Sequence, residues 1–212
     1  WIGTDNGPTI FYSSYPIFNE TNYDAQNILI EVDGTLQYLL QNEIITDIEI
    51  DGANRKWIAT DGGGLFLMSE DGTQTIYSLS KENSPLYSNK ITSLAINHQN
   101  GELFIGTDKG ILGYKSTATS PNIEFTNLQV YPNPVRPDYQ GNIAVTGMMK
   151  NSEVKITDAS GFLIQTIFSQ GGQAVWNGKD RNNQIVGSGI YYFFATSQDG
   201  YSKAKSKVLI VR

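Results

Sequence analysis

The 212-residue sequence has no cysteine and one histidine. Without cysteine, disulfide bonds and thiolate metal sites are excluded within these residues. With His98 as the single imidazole, a histidine-based catalytic triad or a multi-histidine metal site is excluded as well. No apolar run approaches the ~20 residues that a membrane-spanning helix needs. We therefore expect no transmembrane segment in this chain.

Other patterns give little reason to expect catalysis. Asp47 and Glu49 stand two positions apart on a predicted strand and so share a face, where paired carboxylates could do acid–base work. On an acidic β surface, however, a solvated face is the simpler interpretation. The segment DGGGLF (61–66) lacks the Lys-Ser/Thr of a phosphate-binding loop. We expect a protein that is not an enzyme and uses no cofactor and no metal.

The composition is typical of an all-β protein. Aromatic residues make up 11% of the chain, and glycine numbers 21, with turn dipeptides recurring every ten or so residues. Residues 1–120 carry 15 acidic and 6 basic side chains, whereas residues 121–212 carry 6 and 9. The acidic first part argues against a nucleic-acid partner. The uneven charge also favours two units with different partners.

A repeat organises the first part of the chain. WIGTDNG (1–7) is followed by the similar segments WIATDGG (57–63) and FIGTDKG (104–110). A period of about 45 residues is typical of four-stranded propeller blades. We predict strands at 45–50, 56–60, 65–69 and 75–79 within one repeat.

The repeated residue types have local structural reasons. Trp57 and Phe104 are suited to packing between neighbouring blades. Thr60 and Thr107 are placed to hydrogen-bond within a tight turn, in which the following glycine supplies a positive φ. A metal site at the repeated aspartates is the alternative, but they lack a second carboxylate at the spacing of a calcium loop.

On these motifs, residues 1–115 resemble the two-component-regulator propeller repeat of Bacteroidetes surface and periplasmic proteins. The resemblance implies a partial β-propeller of about two and a half blades. Because each blade buries its faces against its neighbours, such a portion does not close a ring. We expect it to be the C-terminal piece of a larger protein.

An insertion in the first repeat, SSYPIFNETNYDAQN (13–27), carries three aromatic residues, Tyr15, Phe18 and Tyr23, among polar ones. Long loops on a rigid scaffold often bind partners. The alternative is a loop packed by its own aromatic rings.

Residues 116–123, STATSPNI, have the composition of a linker. After it, about seven short strands over residues 124–212 predict an Ig-like β-sandwich. Its predicted core residues are Val154, Ile156, Trp176, Ile190, Tyr192 and Phe194. Pro132, Pro134 and Pro137 fix φ and predict a stiff entry into the first strands.

The pattern YPNPVRP (131–137), VKITDASG (154–161), WNGKDRNNQIVGSGIYYF (176–193) and KVLIVR (207–212) resembles the C-terminal sorting domain of the type IX secretion system, in a form close to the FlgD-like Ig fold. The resemblance implies an export and docking signal recognised by an outer-membrane translocon. Such domains are usually removed when cargo is attached to anionic lipopolysaccharide.

The last predicted strand places Lys203, Lys205 and Lys207 on one face, because side chains alternate along a strand. Edge lysines that discourage edge-to-edge aggregation are one interpretation. The other is a basic strip that binds the translocon or an anionic glycolipid.

The order of the two parts resembles the PorZ-like family of Bacteroidetes type IX secretion proteins. The resemblance implies a surface component that reaches the outer-membrane cell surface through the periplasm, keeps its C-terminal domain, and delivers anionic lipopolysaccharide to the sortase PorU beside PorV and PorQ. Two alternatives remain open. One is a periplasmic ligand sensor of a two-component regulator, and the other is exported cargo, an enzyme or adhesin with a cleaved sorting domain.

Overall fold

The computed structural model describes residues 1–19, 23–32 and 34–212. These residues form an all-β protein with several small sheets and one short helix, α1. The chain divides into two compact units, one of residues 1–97 and 102–115, the other of residues 98–101 and 116–212.

The first unit consists of short antiparallel strands joined by tight turns. Its elements are β1 (Ile2–Thr4), β2 (Gly7–Ile10), α1 (Ser14–Asn19), β3 (Gln26–Asn27), β4 (Leu29–Val32), β5 (Thr35–Tyr38), β6 (Ile45–Ile50), β7 (Lys56–Thr60), β8 (Leu65–Met68), β9 (Thr75–Leu79), β10 (Ile91–Asn97), β11 (Glu102–Thr107) and β12 (Gly110–Lys115). Neighbours in sequence pair with each other, giving the sheets β1-β2-β3, β4-β5, β6-β7-β8-β9 and β10-β11-β12. The strands predicted for the second repeat are confirmed, the third ending at Met68.

The repeated turn has the hydrogen bond that its residues predict. Thr60 Oγ1 donates to the Gly64 carbonyl at 2.9 Å, and Thr107 Oγ1 donates to the Gly110 carbonyl at 2.8 Å. Gly62 and Gly110 have φ angles of 136° and 131°, which disfavour residues with a side chain. The structural interpretation of the repeat is therefore confirmed at these two turns.

Trp57 joins two sheets of the first unit. Its side chain is fully buried in a cluster with Leu103 and Ile105 from the sheet β10-β11-β12. The Tyr114 ring meets it edge-on at 5.6 Å. Phe104, by contrast, is 43% exposed, because it projects from the face of β11 opposite to Leu103 and Ile105. The predicted packing against a neighbouring sheet is confirmed for Trp57, and the same prediction is wrong for Phe104.

The second unit contains two antiparallel sheets. Its strands are β13 (Gln129–Tyr131), β14 (Ile143–Thr146), β15 (Glu153–Thr157), β16 (Leu163–Phe168), β17 (Gln173–Trp176), β18 (Gly189–Thr196) and β19 (Lys203–Ile210). They form the sheets β13-β14-β17 and β16-β15-β18-β19. Within the predicted linker, Ala118 and Thr119 are buried, and the Thr119 carbonyl accepts a hydrogen bond from Gly172 N.

One hydrophobic cluster joins the two sheets. Trp176 of β17 packs against Phe193 of β18 with ring centroids 5.8 Å apart, and Val154 and Ile156 of β15 are fully buried beside them. The predicted core positions Val154, Ile156 and Trp176 are confirmed.

The other three predicted core residues were assigned to the wrong face of β18. Ile190 and Phe194 are 41% and 44% exposed, and Tyr192 is half-buried. The buried residues are the alternate ones: Tyr191, Phe193 and Ala195. Both faces of GIYYFFAT carry large apolar residues, so hydrophobicity alone does not distinguish the core face, and a shift of one residue exchanges the faces.

The segment that contains the three prolines covers part of the β19 edge. Asn133 Nδ2 donates to the Lys207 carbonyl at 3.2 Å, and Leu209 N donates to Asn133 Oδ1 at 3.0 Å. Val135 continues the pairing, its N–H donating to the Leu209 carbonyl at 2.8 Å and its carbonyl accepting from Val211 N at 2.9 Å. The backbone groups of Lys207, Leu209 and Val211 named here therefore already have partners.

Candidate functional site

The predicted basic strip lies on the outer face of the four-stranded sheet in the second unit. Lys203, Lys205 and Lys207 are exposed and alternate with half-buried neighbours along β19. Because β19 pairs with β18, each lysine stands opposite one outward-facing residue, in the pairs Lys203–Thr196, Lys205–Phe194 and Lys207–Tyr192. The structure thus brings the three predicted lysines together on one surface and places two aromatic rings beside them.

Tyr192 and Phe194 form a stacked aromatic pair on this face. Their ring centroids are 6.4 Å apart and their planes are inclined by 28°. On the side away from β19, Phe194 stands opposite Lys155 of β15, whose ammonium group lies 3.4 Å from a Glu153 carboxylate oxygen. The apolar pair therefore lies between two strands that carry lysines.

An open groove of about 950 Å³ runs over this pair. Tyr192 and Phe194 line it together with Lys205, Lys207 and the turn at residues 157–161. Lys203 lies one cross-strand row farther along, outside the lining. The groove thus combines an aromatic surface, two ammonium groups and a polar turn.

The turn supplies a fixed negative charge. Ser160 Oγ donates to Asp158 Oδ1 at 2.6 Å, and Ser160 N and Phe162 N donate to the same oxygen at 2.9 and 3.0 Å. These hydrogen bonds hold the pKa of Asp158 below its usual value, and the bond from the Ser160 hydroxyl contributes most. Asp158 therefore stays ionised at neutral pH, and one wall of the groove is a hydrogen-bond acceptor while the other donates.

The predicted aromatic residues of the insertion lie in the first unit. Tyr15 and Phe18 belong to the short helix α1 and are 69% and 82% exposed. Tyr23 packs against Phe11 with ring centroids 5.7 Å apart. Residues 20–22 of the insertion lie outside the described residues, and a binding role for this segment stays a prediction.

Sequence reasoning did not assign four residues of the groove to a site. The sequence predicts Tyr192 and Phe194 as core residues, and it marks Asp158 and Ser160 only as part of the motif VKITDASG. On β18, buried residues alternate with half-buried or exposed ones from Ile190 to Thr196, and this pattern is visible only when the register with β15 and β19 is known. The spacing of the lysines was the available sequence signal for the groove, because it marks the outward face of the sheet, to which Tyr192 and Phe194 also belong.

Neither a metal site nor a membrane span is found in the part of the chain that the structure describes. No group of three or more His, Asp or Glu side chains there is arranged to hold a metal ion. No helix of these residues is long and apolar enough to cross a membrane.

The similarity of this chain to known proteins is found among solved structures. No family model and no curated protein matches it. A solved structure does. Over its whole length the chain is similar to PorZ. PorZ of Porphyromonas gingivalis is described as an essential bacterial surface component of the type IX secretion system. The two sequences are 32% identical over 100% of this chain, with a TM-score of 0.65, and the chain spans 29% of the length of PorZ.

Two extracellular domains from B. thetaiotaomicron are more distant. One belongs to a putative one-component system, with 15% identity over 84% of this chain and 27% of that one, and a TM-score of 0.30. The other belongs to a putative hybrid two-component system. It is 14% identical over 96% of this chain and 26% of its own length, with a TM-score of 0.40. With TM-scores below 0.5, these two similarities indicate no function for this chain.

Proposed function

We propose that this chain is part of a non-catalytic surface component of the type IX secretion attachment machinery. In this role it binds anionic lipopolysaccharide and delivers it to a PorU-like sortase beside PorV- and PorQ-like partners. The observation that carries the proposal is the 32% identity to PorZ over the entire chain.

The proposal includes an architecture for each unit. In the first unit, the antiparallel sheets β6-β7-β8-β9 and β10-β11-β12 pack through Trp57, as neighbouring propeller blades do. In the second unit, two sheets enclose one core, which supports an Ig-like sandwich. We assign to this sandwich the role of export and docking signal.

The outer face of the second unit supports binding rather than catalysis. Its lysines and aromatic rings offer charge and contact area to a large anionic molecule. The Asp158 carboxylate beside them is held in its turn by the Ser160 hydroxyl, which donates a hydrogen bond to it.

Deletion of the gene in its source bacterium tests the proposal. We expect cargo proteins to lose their surface attachment and to accumulate unmodified by lipopolysaccharide, because delivery to the sortase fails. Reintroducing the intact gene should restore attachment. Normal attachment and modification in the deletion strain would contradict the proposed role.

The intact mass of the surface-bound protein separates this role from that of exported cargo. A component of the machinery is expected to retain residues 124–212, whereas cargo loses its sorting domain. A ligand sensor predicts a third result, in which deletion changes transcription but leaves the attachment of cargo unaffected.

A further inference from the structure

We propose that the groove over Tyr192 and Phe194 binds an acidic glycan. A sugar ring lies on the two aromatic rings, its acidic substituents contact Lys205 and Lys207, and its hydroxyl groups reach the turn at Asp158. The inference rests on the proposed function only in that anionic lipopolysaccharide is one source of such a glycan.

The charge of the groove selects an anionic ligand. Lys205 and Lys207 project from the same face of β19, and each stands directly opposite one aromatic residue of β18. Both line the groove. A ligand on the aromatic surface therefore meets two ammonium groups along one side, and its anionic substituents complement them.

The aromatic pair provides a flat apolar contact. Phe194 is 44% exposed although it is a large apolar side chain, and it stacks with Tyr192 at 6.4 Å. Aromatic rings supply large contact area at a low cost in side-chain entropy. The pair thus suits a ligand with one apolar ring face and polar edges, as a pyranose has.

A peptide strand added to the sheet edge does not fit the part of β19 beside Tyr192. Strand addition needs unpaired backbone groups on the edge strand. The Lys207 carbonyl and Leu209 N are already bonded to the Asn133 side chain, and the Leu209 carbonyl is bonded to Val135 N. The face of the sheet, rather than this edge, is therefore the binding surface.

A nucleic acid does not fit the charge distribution either. The groove lies within residues 121–212, which carry 9 basic but also 6 acidic side chains, and an ionised Asp158 forms part of its wall. A phosphate backbone, with a charge on every nucleotide, is repelled by that carboxylate and needs a broader basic surface. In a glycan with spaced acidic groups, those groups contact Lys205 and Lys207, and the free hydroxyl groups between them donate hydrogen bonds to Asp158.

Binding of defined polymers to the purified 212-residue chain tests the proposal. The probes are hyaluronan as a glycan with a carboxylate on every second sugar, phosphomannan as a phosphorylated glycan, dextran as a neutral glycan and polyglutamate as an acidic peptide. We expect one or both acidic glycans to bind, and added salt to weaken the binding. Comparison of the first two identifies which acidic group is recognised.

Matched variants locate the site. K205Q/K207Q and Phe194→Ala should each weaken glycan binding by roughly tenfold, the size of a typical aromatic or charged hot spot. K81Q/K109Q makes the same change in net charge with exposed lysines of the other unit, and Ile190→Ala removes a similarly exposed side chain from β18. Both controls should bind as the unmodified chain does, and unfolding curves should show that all variants are folded.

Each contrary result has a distinct meaning. Failure of both acidic glycans to bind, equal binding of dextran or polyglutamate, or unchanged affinity in the groove variants would overturn the glycan site. If lipopolysaccharide of the source bacterium still binds the groove variants, the proposed function survives and the site is wrong. If the groove binds acidic glycans but gene deletion leaves cargo attachment intact, the site stands and the proposed function fails.

Discussion

Trp57 is the largest fully buried side chain among the described residues of the first unit. It is fully buried between two sheets and contacts Tyr114 edge-on. We expect Trp57→Ala to lower the free energy of unfolding by about 3–5 kcal/mol, because the cavity removes contacts to both sheets. Urea unfolding followed by far-UV circular dichroism measures the change.

Phe104 provides the matched control for Trp57. It occupies the same position in the next repeat but is 43% exposed, so Phe104→Ala should cost less than about 1 kcal/mol. Equal losses for the two variants would contradict the packing role of Trp57.

The residue scale also shows what the sequence could predict. Thr60 and Thr107 make the predicted turn hydrogen bonds because their partners lie within four residues, so local spacing determines them. Phe194 was misplaced because its exposure depends on pairing with β15 and β19. The aromatic half of the candidate site was therefore hidden, whereas the lysine half followed from alternation within one strand.

A carboxylate in the turn between β8 and β9 makes the free energy of unfolding depend on pH in the acidic range. Asp71 accepts hydrogen bonds from the Ser69 and Thr73 side chains at 2.6 and 2.9 Å, and these lower its pKa from 3.8 to about 2. A carboxyl group whose pKa is lowered by folding stabilises the folded protein when the pH is above its unfolded-state pKa. This contribution is lost as the pH falls through the folded-state pKa.

We therefore expect Asp71→Asn to be less stable than the unmodified chain at neutral pH, and the difference to disappear as the pH falls from 3.8 to about 2. The difference should stay below about 1 kcal/mol, since the carboxylate is exposed and screened by solvent. Thermal unfolding across this pH range provides the measurement. Ser69→Ala, which removes the largest cause of the shift, should reduce the pH dependence, and a constant gap would refute the assignment.

The edge of β19 depends on a side chain that is distant in sequence. Asn133 bonds to both the Lys207 carbonyl and Leu209 N, so Asn133→Ala should destabilise the second unit by about 1 kcal/mol. Hydrogen exchange measured by NMR should become faster at the Leu209 amide but not at the Val208 amide. Asn133→Asp keeps the acceptor for Leu209 N and should preserve its protection, and unchanged exchange in the alanine variant would exclude the edge role.

At the level of elements, the bounds of strands were easier to predict than the segment that covers the edge of a sheet. The strands at 45–50, 56–60 and 75–79 have the predicted bounds, since apolar alternation and turn dipeptides are local signals. The cover of β19 was not predictable, because Asn133 and Lys207 are 74 residues apart. The proline pattern predicted a stiff segment but did not indicate where it pairs.

The whole molecule combines two units that differ in charge and in core. Residues 1–120 carry an excess of acidic side chains and residues 121–212 an excess of basic ones. The buried clusters around Trp57 and around Trp176 have no residue in common. Independent cores of this kind allow each unit to open without the other.

Hydrogen exchange with mass spectrometry of the whole chain should show this independence. Trp176→Ala creates a cavity against Phe193 and Tyr191, so we expect faster exchange in peptides from 128–210 and unchanged exchange in peptides from 45–97. Trp57→Ala should give the reverse pattern, because its contacts lie in the first unit. Since each variant serves as the control for the other, faster exchange in both units of either variant would mean that the two cores are coupled.

Independent opening, in contrast, would leave the groove over Tyr192 and Phe194 intact when the first unit is perturbed. Glycan binding by Trp57→Ala should then equal that of the unmodified chain.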